Sequence, residues 1–253
     1  MNTKVYITGI GIVSSIGNNI SENLYSLKNE QTGIGKMELT ESIYKDEIPV
    51  GEVKISNSEL IEELKLNVEN ALTRTSLLGI KATAEALKNS GTFDINELST
   101  GIVSATTVAG MSSSELYYSD FLHTDYANDF IKTHEAADST EKIADYFGIK
   151  KYLTTISTAC SSSANAIMHG ARLIKHGILD RVIAGGTDAL SKFTLNGFNT
   201  LMILDRDACK PFDKEREGLN LGEGAAYLLL ESEEAVKKNG KKKFNEPKTN
   251  KRK

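Results

Sequence analysis

Short runs of apolar and β-branched residues alternate along the chain with segments of helical periodicity, and this alternation is typical of an α/β fold. Strands are predicted in the segments 4–17, 100–107, 153–158, 181–189 and 222–231. Helices are predicted over 19–29, 74–91, 138–147 and 161–176. The first strand runs into glycines that indicate a tight turn, whereas Gly91 and Gly177 stop two of the helices.

Three stretches do not follow this pattern. Residues 36–70 are charged and weakly periodic, so we interpret them as a surface excursion. The polar stretch 112–140 holds His123 and His134, and its pattern places neither in a site. The last residues are rich in lysine and cannot bury enough apolar surface to become ordered. We therefore predict a domain over residues 1–240 and a basic, disordered tail over 241–253.

Composition and charge restrict the function classes. The chain has 253 residues, of which 40% are hydrophobic and 25% charged, and its formal net charge is −4. This is ordinary for a globular domain and provides no global basic field for nucleic acid. The lysine-rich tail is more typical of a solvated segment than of a nucleic-acid or membrane arm. No apolar run suits a membrane span or a signal peptide, so we expect a cytoplasmic protein without membrane insertion.

The chain has two cysteines, Cys160 and Cys209, without the spacing of a metal site. Cys160 stands where a predicted strand becomes a predicted helix, and free N–H groups and the helix dipole favour an anion at that position. The small residues of "TACSSS" leave room for a substrate. A reactive thiol at a helix N-terminus is therefore one interpretation, and a buried, inert thiol is the alternative.

Four segments in the same order and spacing carry a resemblance: "VYITGIGIVSSIGNN", "TACSSSANAI", "RVIAGGTDAL" and "CKPFDKEREGLNLGEGAAYLLLE". Together they resemble the β-ketoacyl synthases, the condensing enzymes of fatty-acid and polyketide synthesis, from about residue 4 to residue 240. The resemblance implies the N-terminal half of a thiolase-like fold, with a five-stranded mixed sheet and a buried nucleophile helix. It favours the enzymes that elongate acyl chains on acyl carrier protein over the thiolases.

The resemblance also implies roles for individual residues. Cys160 matches the family's nucleophile, and its own backbone N–H matches one oxyanion donor. Phe198 resembles an aromatic residue that borders the acyl pocket, although an ordinary packed aromatic side chain is an equal alternative. Glu223 matches a buried acid that organises the site through hydrogen bonds.

Other residues of the same segment receive structural roles. Asp213 and Arg216 are expected to pair or to brace the turn. Gly218, Gly222 and Gly224 fit a backbone that needs close approach or positive φ, and Cys209 matches a position without a catalytic role.

Two departures from the family pattern affect the expected activity. Lys150, Lys151 and Tyr152 replace the family's Gly-Pro-Ser approach to the nucleophile strand, which changes local geometry. The second half of the family, with two catalytic histidines and a lysine, is also not found. His169 and His176 fall on the nucleophile helix and are interpreted as surface or packing residues. Without the family's histidines, condensation has no evident electrophilic stabiliser.

We hypothesise that a frameshift or an early stop truncated the gene, which would explain the loss of the second half. A search of the downstream DNA for an "H-G-T-G-T"-like peptide in all three frames tests that hypothesis. A solitary half is also expected to expose apolar surface and to self-associate.

The predicted chemistry is acyl transfer from acyl carrier protein to Cys160, followed by condensation with a malonyl thioester and loss of carbon dioxide. Acyl and malonyl thioesters are the implied substrates, no metal or organic cofactor is implied, and no nucleic-acid partner is expected. The implied assembly is a homodimer or a pairing with a complementary chain. Two alternatives stay open: a non-catalytic chain-length partner, against which the retained Cys160 argues, and an unrelated α/β binding protein.

Overall fold

The computed structural model describes residues 4–67, 71–92, 94–124 and 128–240. The described chain contains a five-stranded mixed sheet in the order β1-β5-β4-β2-β3. Its strands are β1 (Val5–Ser14), β2 (Thr100–Ala105), β3 (Tyr152–Ile156), β4 (Arg181–Asp188) and β5 (Gly224–Ser232). Strand β2 is parallel to β3 and β4, whereas β5 is antiparallel to β1 and β4. The five predicted strands and the mixed sheet are confirmed.

The α-helices of the described residues are α1 (Ile20–Lys28), α2 (Asn57–Glu63), α3 (Arg74–Ser90), α4 (Met111–Phe121), α5 (Asn128–Lys132), α6 (Ala136–Phe147), α7 (Ser162–Lys175), α8 (Lys192–Thr200) and α9 (Glu233–Lys238). The predicted helices correspond to α1, α3, α6 and α7. No described helix is long and apolar enough to cross a membrane. The predicted basic tail, residues 241–253, lies outside the described part of the chain.

Helices cover both faces of the sheet. Successive residues of β4 point to opposite faces, so Ile183 packs with the cluster that contains α3, whereas Val182 packs with the cluster that contains α7. Strand β4 is buried along almost its whole length for this reason.

Helix α7 is buried on its sheet side through Ala166, Gly170 and Ile174, whereas Met168 on the same helix is 44% exposed. The nucleophile helix that we predicted to be buried is therefore buried on one face in this chain.

The tight turn predicted after the first strand forms at Ser14–Gly17, where the N–H of each residue donates to the carbonyl of the other at 2.8 and 3.1 Å. The glycines inside β1 serve helix packing instead. Gly9 and Gly11 lie inside the strand, and a Cβ atom at Gly11 would lie 1.9 Å from the carbonyl oxygen of Ala82 in α3. The absence of these side chains lets the α3 backbone approach β1 closely. Helix α3 itself begins with a capping box between Thr73 and Ser76 and ends at Gly91, which has a φ of +68°.

The prediction that residues 36–70 form a surface excursion is wrong for much of the segment. Met37, Ile48 and Val50 are almost fully buried. They form a third apolar cluster with Leu190, which follows β4, and Leu195, which lies in α8. The helix α2 also lies in this segment, whose residues 68–70 are outside the described part of the chain. A buried carboxylate, Glu52, shapes the segment because it accepts hydrogen bonds from the backbone N–H groups of residues 38–40.

A buried ion pair joins three strands. The Nε of Arg181 in β4 donates to Glu231 in β5 at 2.9 Å, and both side chains are at most 1% exposed. The hydroxyl of Thr8 in β1 donates to the other carboxylate oxygen at 2.5 Å. Because a lone buried charge is costly, each partner depends on the other.

Single substitution of this pair is expected to destabilise the protein strongly. Arg181→Met or Glu231→Leu leaves one buried charge unpaired and should lower the free energy of unfolding by about 3–5 kcal/mol. The double variant Arg181→Met/Glu231→Leu removes both charges and should recover most of the loss. Urea unfolding of the three variants measures this coupling, and additive losses in the double variant would contradict it.

Glu52 is expected to make stability depend on pH. Burial raises the pKa of Glu52, but hydrogen bonds from Thr40 and from three backbone N–H groups outweigh burial and hold the pKa below its ordinary value of 4.5. A carboxyl group with a lowered folded pKa stabilises the fold above its unfolded pKa, and this stability is lost as the pH falls through the folded pKa.

Glu52→Gln should therefore lower the free energy of unfolding by about 1–2 kcal/mol at neutral pH. The difference from the wild type should shrink below about pH 4.5, where the wild-type carboxylate begins to lose its advantage. Urea midpoints at a series of pH values give the result. A difference that stays constant across the series would show that the charge of Glu52 is not the cause.

Candidate active site

The carboxyl ends of the parallel strands meet at one edge of the sheet, where α/β folds commonly bind ligands. Strand β2 ends at Ala105, β3 at Ile156 and β4 at Asp188. Cys160 follows β3 at this edge, in a 3₁₀ turn over Ala159–Ser161 that leads into α7. The predicted position of the cysteine, between a strand and a helix, is therefore confirmed.

The turn before Cys160 has a constrained backbone. Ala159 has a φ of +52°, which is uncommon for a residue with a side chain and stores backbone strain. Ser162 holds the turn from both sides, since its hydroxyl accepts the N–H of Thr158 at 2.8 Å and donates to the carbonyl of Ala159 at 2.7 Å. Cys160 is exposed and carries a free thiol. The turn thus presents the thiol at the surface of the sheet edge, and the alternative of a buried thiol is wrong.

A cavity of about 430 Å³ lies beside Cys160. Phe198 from α8 lines it together with Leu190, Leu221 and Gly222. This volume lies in the range of small-molecule sites in proteins, which is roughly 300–1,000 Å³. The structure therefore brings together Cys160 and Phe198, the two residues that the sequence resemblance assigned to chemistry and to the acyl pocket.

Asp188 shapes a second wall of this cavity, and our sequence analysis missed it. Its Oδ1 accepts hydrogen bonds from the Thr106 hydroxyl at 2.6 Å and from the N–H groups of Thr107 and Val108 at 2.8 and 3.1 Å. All four residues line the cavity. The sequence did contain a signal for this role of Asp188, namely an acidic residue at the carboxyl end of an apolar strand.

Glu223 lies behind the cavity and not in its lining. The side chain is fully buried and pairs with Arg74, whose Nη2 lies 2.6 Å from Oε1. Glu223 also accepts the N–H groups of Val53 and Leu190. These contacts fit the predicted role of an acid that organises the site through hydrogen bonds. Arg74 was missed, because a charged residue at the start of a predicted helix usually faces solvent.

Asp213 and Arg216 lie away from the cavity, in an exposed turn. Arg216 donates to the backbone carbonyl of Asp213 at 2.9 Å, and the carboxylate of Asp213 accepts the N–H of Glu215 at 2.7 Å. This geometry is that of a braced turn. The prediction that Asp213 and Arg216 support the active site stays a prediction. Cys209 is also outside the cavity, with its backbone N–H bound to Asn220.

The glycines of this region serve close approach. Gly218, Gly222 and Gly224 all have ordinary φ values, and a Cβ atom at Gly218 would lie 2.6 Å from the backbone nitrogen of Asp205. Of the two possibilities that we predicted for these glycines, close backbone approach is the one observed.

The four histidines do not line the Cys160 cavity. His169 shares a hydrogen bond of 2.9 Å with the hydroxyl of Tyr152, and His176 follows the last residue of α7. His134 shares a hydrogen bond with Ser114. The interpretation of His169 and His176 as surface or packing residues agrees with these positions. Among the described residues, no group of three His, Cys, Asp or Glu side chains could hold a metal ion.

Comparison with known proteins identifies the family. The model of the β-ketoacyl synthase N-terminal domain matches residues 2–235. The 3-oxoacyl-[acyl-carrier-protein] synthase 2 of Staphylococcus aureus (strain COL) is 26% identical over 251 residues, which cover 94% of this chain and 60% of the relative. The chain therefore spans about three fifths of the length of this curated relative.

Solved structures confirm the thiolase-like fold. The ishigamide ketosynthase/chain length factor superposes with a TM-score of 0.86 at 23% identity, covering 96% of this chain and 62% of the other. A ketosynthase in complex with its chain length factor, from Xenorhabdus doucetiae, gives a TM-score of 0.76 at 26% identity and covers 91% of this chain and 58% of the other. With its sheet, its cysteine turn and the matched residues 2–235, the chain belongs to the β-ketoacyl synthase family, through the N-terminal domain of that family.

Proposed function

We propose that this chain is an acyltransferase of fatty-acid or polyketide synthesis that accepts an acyl group from acyl carrier protein on Cys160. The observation that carries the proposal is the position of the free, exposed thiol in a constrained turn beside a cavity of about 430 Å³. The name of the Staphylococcus aureus relative, a 3-oxoacyl-[acyl-carrier-protein] synthase, supports the class of substrate.

The first step is a thioester exchange. The Cys160 thiolate attacks the carbonyl carbon of the acyl thioester, the carbon–sulfur bond to the carrier breaks, and the thiol proton of Cys160 ends on the released carrier thiol. The backbone N–H of Cys160 is the oxyanion donor that the family resemblance implies. Phe198 borders the cavity that receives the acyl chain.

The second step, condensation with a malonyl thioester and loss of carbon dioxide, requires a group that stabilises the developing negative charge. The histidines of this chain lie outside the Cys160 cavity, so they do not meet this requirement. We assign these groups to the second half of the family fold, packed over the open side of α7, or to a complementary chain that takes the place of that half. Two structural relatives contain a chain length factor, which supports the pairing.

A second candidate function is that of a non-catalytic chain-length or partner subunit. The occurrence of a chain length factor in structures with this fold favours it. The retained Cys160, exposed beside the cavity, argues for the catalytic role.

Acyl transfer to Cys160 is expected to be directly measurable. Incubation of the purified chain with acyl carrier protein loaded with a fatty acyl group should add the mass of one acyl group, as measured by intact-protein mass spectrometry. The gain should vanish in Cys160→Ser and persist in Cys209→Ser, the matched control with the other cysteine removed. A folded wild-type sample that gains no mass, or a gain that survives Cys160→Ser, would contradict the proposal.

Phe198 is expected to influence which acyl groups react. Phe198→Ala enlarges the cavity and removes apolar contacts, so the preference between twelve-carbon and four-carbon acyl groups should change by roughly tenfold, as expected for a loss of one to two kcal/mol. Initial acylation rates with the two loaded carriers provide the measurement, and Phe198→Leu serves as the conservative control. If the wild type, Phe198→Ala and Phe198→Leu all show the same preference between the two acyl groups, the role of Phe198 is packing alone.

A further inference from the structure

Arg74 stands at the start of α3, and its side chain is 11% exposed. Its Nε and Nη2 donate to the carboxylate of Glu223 at 2.6–2.9 Å. Nη1 donates to the carbonyl of Ile55 and to the side chain of Asn57, at 3.0 and 2.9 Å. Nη2 also reaches the carbonyl of Val53 at 2.9 Å. All three nitrogens are therefore engaged, in a planar fork that lysine cannot reproduce.

Glu223 transmits this arrangement to two backbone segments. Its carboxylate accepts the N–H of Val53 at 3.0 Å and the N–H of Leu190 at 3.1 Å. Its own N–H donates to the carbonyl of Gly51 at 3.0 Å. The segment that follows β4 and the segment 51–53 are thus fixed by one buried carboxylate.

The residues fixed in this way include one wall of the Cys160 cavity. Leu190, Leu221 and Gly222 line the cavity together with Cys160. The N–H of Gly51 donates to the carbonyl of Leu221 at 2.8 Å, so the segment that Arg74 holds also holds Leu221. Arg74 itself is not part of this lining and faces a separate cavity of about 290 Å³. Any effect of Arg74 on Cys160 must therefore pass through the wall.

We propose that Arg74 is a positioning residue of the Cys160 cavity, acting through Glu223 on the wall formed by Leu190, Leu221 and Gly222. The inference rests on the proposed function, because the wall matters for the reaction only where the cavity receives the acyl chain. Loosening the wall lets the alkyl chain of a bound reagent take many positions, and it thereby removes the advantage of holding the reagent near the thiol.

The test compares two arginines that each pair with a buried glutamate. Arg74→Lys keeps the positive charge but loses the fork to Glu223. Arg181→Lys makes the same substitution in the buried Arg181–Glu231 pair, in which Nε of Arg181 donates to the carboxylate. That pair joins strands of the sheet and does not line the cavity. Both variants are made in a Cys209→Ser background, so that Cys160 is the only thiol. Thermal unfolding of each variant records its loss of stability.

The readout is the second-order rate of Cys160 alkylation by iodoacetamide and by its N-octyl derivative, followed by intact mass. The parent protein should react faster with the octyl reagent, because the apolar chain enters the cavity. Arg74→Lys should lower this preference on the order of tenfold. Arg181→Lys should retain the preference despite its loss of stability. If Arg74→Lys does not fold, Glu223→Gln, which keeps the shape of the side chain, is measured in its place with the same expectation.

Three results would overturn the inference: no octyl preference in the parent protein, an unchanged preference in Arg74→Lys or Glu223→Gln, or an equal loss in Arg181→Lys. Acyl transfer from the loaded carrier is measured in parallel. A parent protein that shows the octyl preference but accepts no acyl group refutes the proposed function and leaves the role of Arg74 standing. Acyl transfer with an unchanged octyl preference in Arg74→Lys refutes the role of Arg74 alone.

Discussion

The carboxylate of Glu223 is a charge without access to water, and the arrangement of the sheet edge depends on how that charge is satisfied. An unpaired buried carboxylate is costly, and Arg74 and two backbone N–H groups offset that cost. Those donors come from the start of α3, from residue 53 and from residue 190. A single electrostatic requirement therefore fixes the relative positions of segments that are far apart in sequence.

Strand β5 has such a carboxylate at each end. Glu223 immediately precedes the strand, and Glu231 lies near its last residue, paired with Arg181. Because β5 lies between β1 and β4, the Arg181–Glu231 pair links β5 to β4 and, through the hydroxyl of Thr8, to β1. The Arg181 pair stabilises the sheet itself. The Arg74 pair extends to residues that line the Cys160 cavity, so a similar ion pair stabilises the fold at one end and shapes the candidate site at the other.

Periodicity and glycine positions were sufficient to predict the strands and the helices α1, α3, α6 and α7, because their apolar faces are read from local spacing. The burial of residues 36–70 was not predictable in this way. Its apolar residues Met37, Ile48 and Val50 have no regular spacing, and its folding depends on a long-range cluster and on the backbone hydrogen bonds of Glu52. A single sequence indicates neither contact.

The candidate site shows the same division. The pairing of Cys160 with Phe198 was accessible through motif resemblance, and the structure places both in one cavity. Asp188 and Arg74 were not accessible, since their roles come from backbone groups that the tertiary fold brings to them. From sequence alone, a charged residue is predicted to be exposed to solvent. This prediction fails where the charged side chain forms hydrogen bonds with buried backbone groups.

The half-burial of α7 connects the fold to the chemistry that we propose. One face of the helix packs on the sheet, whereas Met168 and the thiol of Cys160 face outward. In this arrangement water reaches the thiol, and an oxyanion beside it is stabilised weakly, because the dielectric constant around it is high. A surface packed over the open face excludes water and strengthens every hydrogen bond to that oxyanion. The walls held by Asp188 and Glu223 are formed within this chain, so the chain supplies the shape of the cavity. In the function that we propose, a covering surface would supply the dry environment that condensation requires.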